Sequence, residues 1–403
     1  MKLLLGKDVQ DDNQVFLETS GSRAVLVCGK RGSGKSYTLG VLVEELISVG
    51  GSDVIPIIID PMGVYHTMKQ PNLMQQDDLF QWGLSARDYP VRLLAPGNPL
   101  KLYDADILEI LKQRGIEVVH LRLNPGDLSP DGWCDFFGAD VNKPLGIALF
   151  RATHKLESRN KPYSIGNIIS QIEDDDRAGE PTKEALLNRL EATRSWQLFA
   201  ETGYTPIQDL FKPNAVNVVD LSRLEPGARG RRNLTVSIIA RNLFRARSDA
   251  RLREEFGLAT PMPRVWMLLD EAHQFAPNNG NTIAKAQLIR WAKEGRQPGL
   301  SLVVASQQPS AIDKEVLSQC DIILSHKMTT REDVNALNGL SQDYMGGELR
   351  TFVKKLKRTG EAVLVDDEAE SVHTLRIRPR RSQHGGSSVA TPMQEDSFDI
   401  WSQ

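Results

Sequence analysis

Residues 29–36 read GKRGSGKS, which satisfies the pattern G-x-x-x-x-G-K-[ST] at every fixed position. An apolar run at 24–28 precedes it and a helix-like run at 37–47 follows. Strand, glycine-rich turn and helix in that order predict an α/β fold of the P-loop class, with a mostly parallel central sheet. Gly29, Gly32 and Gly34 let the backbone approach a polyphosphate. Loop N–H groups and the positive end of the helix then face the anion. Arg31, Ser33 and Tyr37 complete the expected nucleotide-binding stretch around Lys35 and Ser36. Lys35 is expected on the β- and γ-phosphates of ATP, and the Ser36 hydroxyl on Mg²⁺.

Hydrolysis needs a second strand to supply acid groups. The run 265–269 ends in Asp270-Glu271. Asp270 is expected to hold Mg²⁺ through its water shell, and Glu271 to activate the attacking water. The run 300–305 ends in Ser306-Gln307-Gln308-Pro309. A polar side chain at the C-terminal end of a parallel strand points into the ligand crevice, so Gln307 could sense the γ-phosphate or position water. It could equally make only local turn bonds. Further strands are expected at 54–59, 216–221, 320–324 and 360–365. Ala284, Leu288, Trp291 and Ala292 recur at helical spacing, and that helix stops at Lys293-Glu294-Gly295-Arg296. Arg296 could complement the helix C-terminus or complete a neighbouring subunit's site.

Composition narrows the class without deciding it. The chain has 403 residues, 40% hydrophobic and 25% charged, with formal net charge -3. That balance is ordinary globular material and does not by itself favour nucleic acid, so any such binding must come from local patches. No run of eighteen apolar residues exists, and the first twenty are too polar after Leu5 for a secretory signal. No membrane association is therefore expected. Cys28, Cys134 and Cys320 are widely spaced and odd in number, which fits a reducing cytoplasm better than a disulfide framework or zinc site.

The expected organisation is a short β segment at 1–23, a first half of the ATPase core at 24–99, and a mainly helical insertion at 100–214. A second core half at 215–381 and a disordered acidic tail at 382–403 follow. Helix-like patterns occur at 105–114, 144–157, 164–172, 183–199 and from 234, with a loop at 174–181. The tail carries Phe398, Ile400 and Trp401 among acids, either a docking motif or a plain solvated end. Basic residues crowd three segments. One spans Arg223 to Arg253, one holds Lys354, Lys355, Lys357 and Arg358, and one holds Arg376, Arg378, Arg380 and Arg381. Each could be a solvated, salt-bridged face or a phosphate-tracking surface. Arg229, Arg231 and Arg232, read as an unpaired loop, are the foremost DNA-binding candidates.

The order of segments GKRGSGKSYTLGVLVEEL, IIIDPMGVY, VWMLLDEAHQFAP, IRWAKEGRQPGLSLVVASQQPS and LRIRPRRSQHGG resembles the HerA branch of the HerA/FtsK motor ATPases, across residues 1–387. The resemblance implies a RecA/FtsK-like core, assembled as a hexameric ring that uses ATP to move double-stranded DNA through a central pore. It places Lys35, Ser36, Asp270 and Glu271 on the family's nucleotide positions, Gln307 on its strand-end glutamine, and Arg296 on the arginine acting in trans. The sequence departs in three places. Residues 1–23 are too few for the family's usual N-terminal β-barrel. Val64 stands where the family has glutamate, and Gln308 where it has arginine. Two function classes follow. One is a DNA-translocating ATPase serving a partner nuclease or other effector, in repair or antiphage defence. The other is a nucleotide-regulated ring scaffold that activates a bound effector without processive translocation.

Overall fold

A computed structural model of the chain describes residues 1–19, 21–159, 161–258, 262–340 and 349–385. Its sheet contains β1 Lys2–Asp8, β2 Gln14–Glu18, β3 Ala24–Cys28, β4 Val54–Asp60, β5 Val91–Pro96 and β6 Glu117–Leu121. It continues with β7 Val216–Asp220, β8 Arg264–Leu269, β9 Leu300–Ser306, β10 Ile322–His326, β11 Glu361–Asp366 and β12 Ser371–Ile377. The spatial order is β2-β1-β12-β11-β10-β3-β9-β8-β4-β7-β5-β6. From β10 to β6 all neighbours are parallel. From β10 outward to β2 they are antiparallel. The expected α/β fold with a mostly parallel sheet is therefore present.

The burial of each strand follows from its neighbours. β4 (VIPIIID) and β9 (LSLVVAS) are buried at every position, because helices cover both faces of the parallel strands. Edge strand β2 (QVFLE) alternates exposed and buried, so only one of its faces is covered. One face packs helix Lys35–Gly50 through Leu39, Leu42, Val43 and Leu46. The other face packs helix Arg231–Glu255 through Leu234 and Ile238. That 25-residue helix, about 37 Å long at 1.5 Å per residue, runs from the C-terminal ends of the parallel strands to their N-terminal ends.

The insertion is mainly helical, as expected. Pro144–Glu157 and Ile165–Glu173 lie where helix patterns were read. Glu180–Ser195 starts and ends earlier than the expected 183–199, and Pro130–Phe137 is a helix that was not expected. The four helices of the insertion pack together. Trp133 anchors it, its ring against Phe136 and Phe199 and its Nε1 donating to the Pro125 carbonyl at 3.1 Å. Its apolar residues belong to the same core as β8 and β9. The segment 100–214 also holds β6, whose mixed exposure hid it among helical patterns. The loop expected at 174–181 ends earlier, because Glu180 already starts a helix with Pro181 in its first turn. The N-terminal hairpin is not a free-standing unit but the sheet's edge, bonded to β12.

The third basic cluster needs correction as a DNA surface. Arg378 and Arg380 are buried, and Arg378 pairs with both Glu44 and Glu45 of helix Lys35–Gly50 at 2.9 Å. Two carboxylates in an apolar core need cationic donors, and the C-terminal strap supplies them. Residue 382 is not part of a solvated tail, for the same reason: Ser382 is buried, and its N–H and hydroxyl donate to Glu44. Residues 386–403, with Phe398, Ile400 and Trp401, lie outside the described residues.

Candidate active site

The loop at 29–34 joins β3 to helix Lys35–Gly50 at the C-terminal end of the parallel strands. Lys30 N–H donates to the Lys327 carbonyl at 3.0 Å, and Ser33 N–H to the Lys30 carbonyl at 3.1 Å, which fixes the loop. Gly29 is dictated by crowding, since a Cβ there would meet Ser33 Oγ at 2.4 Å and His326 Cβ at 2.6 Å. Gly34 has φ 115, a left-handed value favouring glycine, and no side chain caps the helix it begins. The first-turn N–H groups are therefore free to meet an anion. Lys35 is buried, with Nζ 3.4 Å from the Lys30 carbonyl. Burial lowers its pKa below the usual lysine range, against the pull of Glu271 and Asp270. Ser33 Oγ is buried without a partner. Arg31 and Gly32 are exposed on the loop's outer turn. Tyr37 is half-buried, its hydroxyl donating to Gln75 Oε1 at 2.9 Å.

β8 brings its acid pair to this loop. Asp270 Oδ2 accepts from Ser36 Oγ at 2.8 Å and from the Tyr65 hydroxyl at 2.9 Å, while Oδ1 accepts from Glu271 N–H at 3.0 Å. Burial still pushes the Asp270 carboxyl above the usual range. Glu271 adopts φ 49 and ψ 48, a left-handed conformation costly for a non-glycine residue and typical of functional sites. Its Oε1 accepts from Gln307 Nε2 at 2.6 Å. Its Oε2 is buried without a hydrogen bond, 3.5 Å from His273 Nδ1. His273 Nδ1 in turn lies 3.1 Å from Ser306 Oγ. Lys35, Ser36, Asp270, Glu271 and Gln307 thus converge from β3, β8 and β9. Ser36 Oγ and the Asp270 carboxylate form an all-oxygen pair suited to a hard cation such as Mg²⁺.

Arg296 lies elsewhere. It is exposed in the loop before β9, at the N-terminal end of the parallel strands, opposite Lys35. It lines a cleft of about 600 Å³ with Arg247, Arg251, Glu254 and Arg264. Arg247 is held by Glu254 and the Pro298 carbonyl. The guanidinium groups of Arg264 and Arg296 make no hydrogen bond or ion pair among the described residues. The loop expected at 229–232 is different from its reading. Arg231 and Arg232 begin helix Arg231–Glu255. Arg231 lies over the Trp196 ring, and Arg232 donates to the Leu224 carbonyl and Gln274 Oε1. Only Arg229 of the three is exposed.

Three contributors were not assigned from sequence. Asp60 accepts from the N–H groups of Met62, Gly63 and Tyr65 at 2.8–3.1 Å, a turn that aims Tyr65 at Asp270. Burial, with Asp220 nearby, pushes Asp60 up to about 7. The segment IIIDPMGVY was visible, but nothing in it tells which acceptor Tyr65 meets. His326 contacts the loop by position alone, its Nε2 2.9 Å from Thr38 Oγ1. His273 follows the acid pair by two residues, and that proximity was its only signal.

The sequence matches the family described as "Helicase HerA, central domain" over residues 5–243. It is 25% identical over 398 residues to the DNA double-strand break repair helicase HerA of Sulfurisphaera tokodaii, covering 95% of this chain and 70% of that protein. The HerA of Pyrococcus furiosus is 27% identical over 445 residues, with the same coverage of 95% and 70%. In fold the chain is similar to VirB4 of Thermoanaerobacter pseudethanolicus, with TM-score 0.61 at 17% identity over 93% of this chain and 96% of that one. It is also similar to the bacterial conjugative coupling protein TrwBdeltaN70, with TM-score 0.50 at 13% identity, covering 91% and 87%. No helix among the described residues is long and apolar enough to cross a membrane. With the phosphate loop, acid pair and strand-end glutamine assembled on this sheet, the chain belongs to the HerA helicase family of P-loop ATPases.

Proposed function

We propose that the chain is an ATP-hydrolysing motor that works as a hexameric ring on double-stranded DNA. It would serve a partner nuclease or other effector in DNA end processing or antiphage defence. One observation carries the reading. The hydrolysis residues sit at one end of the parallel strands, and Arg296 sits unpaired at the other. One copy cannot bring them together, whereas head-to-tail repetition can. The HerA relatives, named as DNA repair helicases, support DNA as the track.

In this reading the loop N–H groups and Lys35 hold the ATP phosphates. Ser36 and Asp270 would hold Mg²⁺, which neutralises charge on the phosphate oxygens when bound. Glu271 accepts the proton of the attacking water at Oε2, the oxygen left without a donor, while Gln307 steadies Oε1. Arg296 of the neighbouring copy stabilises the charge that develops on the transferred group. Arg229, with Arg231 and Arg232 behind it, meets DNA phosphates rather than base edges.

The test is ATP hydrolysis with and without duplex DNA. Duplex stimulates the intact chain, and Glu271→Gln lowers turnover by about 10²–10⁴-fold while nucleotide binding and assembly persist. Hydrolysis indifferent to DNA, with Glu271→Gln still functional, would remove the motor.

A further inference from the structure

The side chain of Glu271 has one anchor and needs two. Gln307 Nε2 donates to Oε1 at 2.6 Å, but the torsion that swings a glutamate carboxylate about its last bond is soft. One hydrogen bond therefore leaves the second oxygen free to move. Oε2 is buried and accepts no hydrogen bond. Lys35 and Asp270 are the other charged groups near Glu271, and neither bonds Oε2. The group that faces Oε2 is the His273 ring, with Nδ1 at 3.5 Å, just beyond hydrogen-bond length.

Backbone geometry puts the ring there. Glu271 is left-handed at φ 49, and the short turn Ala272–Gln274 starts directly after it. The Gln274 N–H donates to the Glu271 carbonyl at 3.0 Å, which closes the turn. That reversal returns His273 to the side of the Glu271 carboxylate. The imidazole is also tied to the neighbouring parallel strand, since Nδ1 lies 3.1 Å from Ser306 Oγ at the end of β9. Ser306 is buried, and its Oγ accepts from the Gln308 N–H at 3.0 Å, so the anchor is itself fixed. The place of the proton on His273 follows from its neighbours. A carboxylate oxygen only accepts, whereas a hydroxyl donates or accepts. Only a proton on Nδ1 suits both Oε2 and Ser306 Oγ, so Nδ1 is the donor.

We propose that His273 is the positioning residue for Glu271 in ATP hydrolysis. Its Nδ1–H, held on Ser306, fixes one lone pair of Oε2 and leaves the other for the attacking water. The end of β9 thus sets both carboxylate oxygens, Oε1 directly through Gln307 and Oε2 through Ser306 and His273. A small misplacement of a reacting group costs rate steeply, which is what a second anchor prevents. His273 touches neither phosphate nor water in this role and acts through Glu271 alone. The inference rests on the reading of Glu271 as the base.

Steady-state ATP hydrolysis by the full chain tests it. His273→Ala lowers kcat by about tenfold to a hundredfold and leaves the KM for ATP unchanged, the mark of an interaction used only in the transition state. His273→Asn, whose amide N–H can stand where Nδ1–H does, recovers most of that loss. In a chain already carrying Glu271→Gln, His273→Ala lowers the residual rate no further, because no base remains to be aimed. Full turnover by His273→Ala, with Glu271→Gln inactive, overturns the inference and leaves the base reading standing. The same follows if His273→Asn is as slow as His273→Ala, or if KM rises while kcat stays. Should His273→Ala lose nucleotide binding, Ser306→Ala decides in its place, since it removes the anchor and keeps the imidazole. Full turnover there overturns the inference, and a lowered kcat at unchanged KM supports it. Glu271→Gln that still hydrolyses ATP overturns the base reading and this inference together.

Discussion

Helix Lys35–Gly50 carries two buried polar clusters of opposite character. Towards its C-terminal half, Glu44 and Glu45 are saturated. Glu44 Oε1 accepts from the Ser382 N–H and hydroxyl, and Oε2 from Arg378 and the Arg381 N–H. Glu45 takes Arg378 on one oxygen and the Leu4 N–H on the other. At its N-terminus the second cluster is left open. Glu271 Oε2 and Ser33 Oγ have no partner, and Lys35 Nζ reaches only one carbonyl. Buried polar atoms are expensive to leave unpaired. Fully satisfied carboxylates therefore read as architecture, tying the C-terminal strap across the helix, although Arg380 Nε and Arg381 Nε on that strap are buried without a hydrogen bond. Gly40 makes room for that crossing, since a Cβ there would lie 2.5 Å from Arg380 Cζ. An open cluster with the same burial reads as a site whose missing partners are brought by a ligand.

The comparison breaks or holds on single substitutions, and the largest effect belongs to the saturated side. Arg378→Ala leaves buried Glu45 without its cation and Glu44 with only Arg380 at 3.7 Å, and costs about 3–5 kcal/mol of stability, read from urea unfolding. Lys35→Ala removes nucleotide binding, measured by titration with a fluorescent ATP analogue, yet shifts the unfolding free energy by no more than about 1 kcal/mol. Equal destabilisation by the two substitutions would erase the distinction between architecture and site.

This division was only partly legible in the sequence. The phosphate loop and acid pair were, because their chemistry demands fixed residue types at fixed spacing next to a strand. Most of the fully buried strands were legible as unbroken apolar runs, but β5 (VRLLAP) was not, because Arg92 interrupts its run. β6 and β12 were not, because EVVHL and SVHTLRI mix polar and apolar residues as edge or half-covered strands do. The arginines show the deeper limit. Arg378 and Arg380 look like Arg229 as letters, and only the fold shows that Glu44 lies beneath them. Arg296 lay at a recognisable position, but its separation from Lys35 by the height of the sheet is a property of topology alone.

A third buried group beside the helix sharpens the contrast through pH. The His326 Nδ1 lies 3.0 Å from the Glu361 carbonyl, which can only accept, so Nδ1 carries the proton and Nε2 accepts from Thr38. Burial lowers His326 from 6.5 to about 4. As pH falls from 6.5 towards 4, the unfolded chain takes up a proton that the fold refuses. Stability is therefore full above 6.5 and drops through that window, by about 3 kcal/mol for this residue. His326→Asn removes this component, so the difference in unfolding free energy between pH 7.5 and pH 4.5 shrinks accordingly. An unchanged difference would mean that His326 is protonated inside the fold.

The smallest effect is expected at Tyr65, where the open cluster meets its frame. Tyr65→Phe keeps the ring in its buried place and deletes only the hydroxyl donated to Asp270. Ser36 and the Glu271 N–H remain on that carboxylate, so the loss in stability is about 1 kcal/mol. The functional consequence has a definite sign. With one donor fewer, the carboxylate form of Asp270 is less favoured, and its pKa rises further in the direction burial already imposes. A proton then competes better with a cation for the same oxygens. The Mg²⁺ concentration that half-saturates nucleotide-dependent stabilisation should increase by about fivefold, the equivalent of that 1 kcal/mol, and more at pH 6 than at pH 8. A half-saturation point that does not move at either pH would make Tyr65 a packing residue and move the boundary between the two clusters to Asp270 itself.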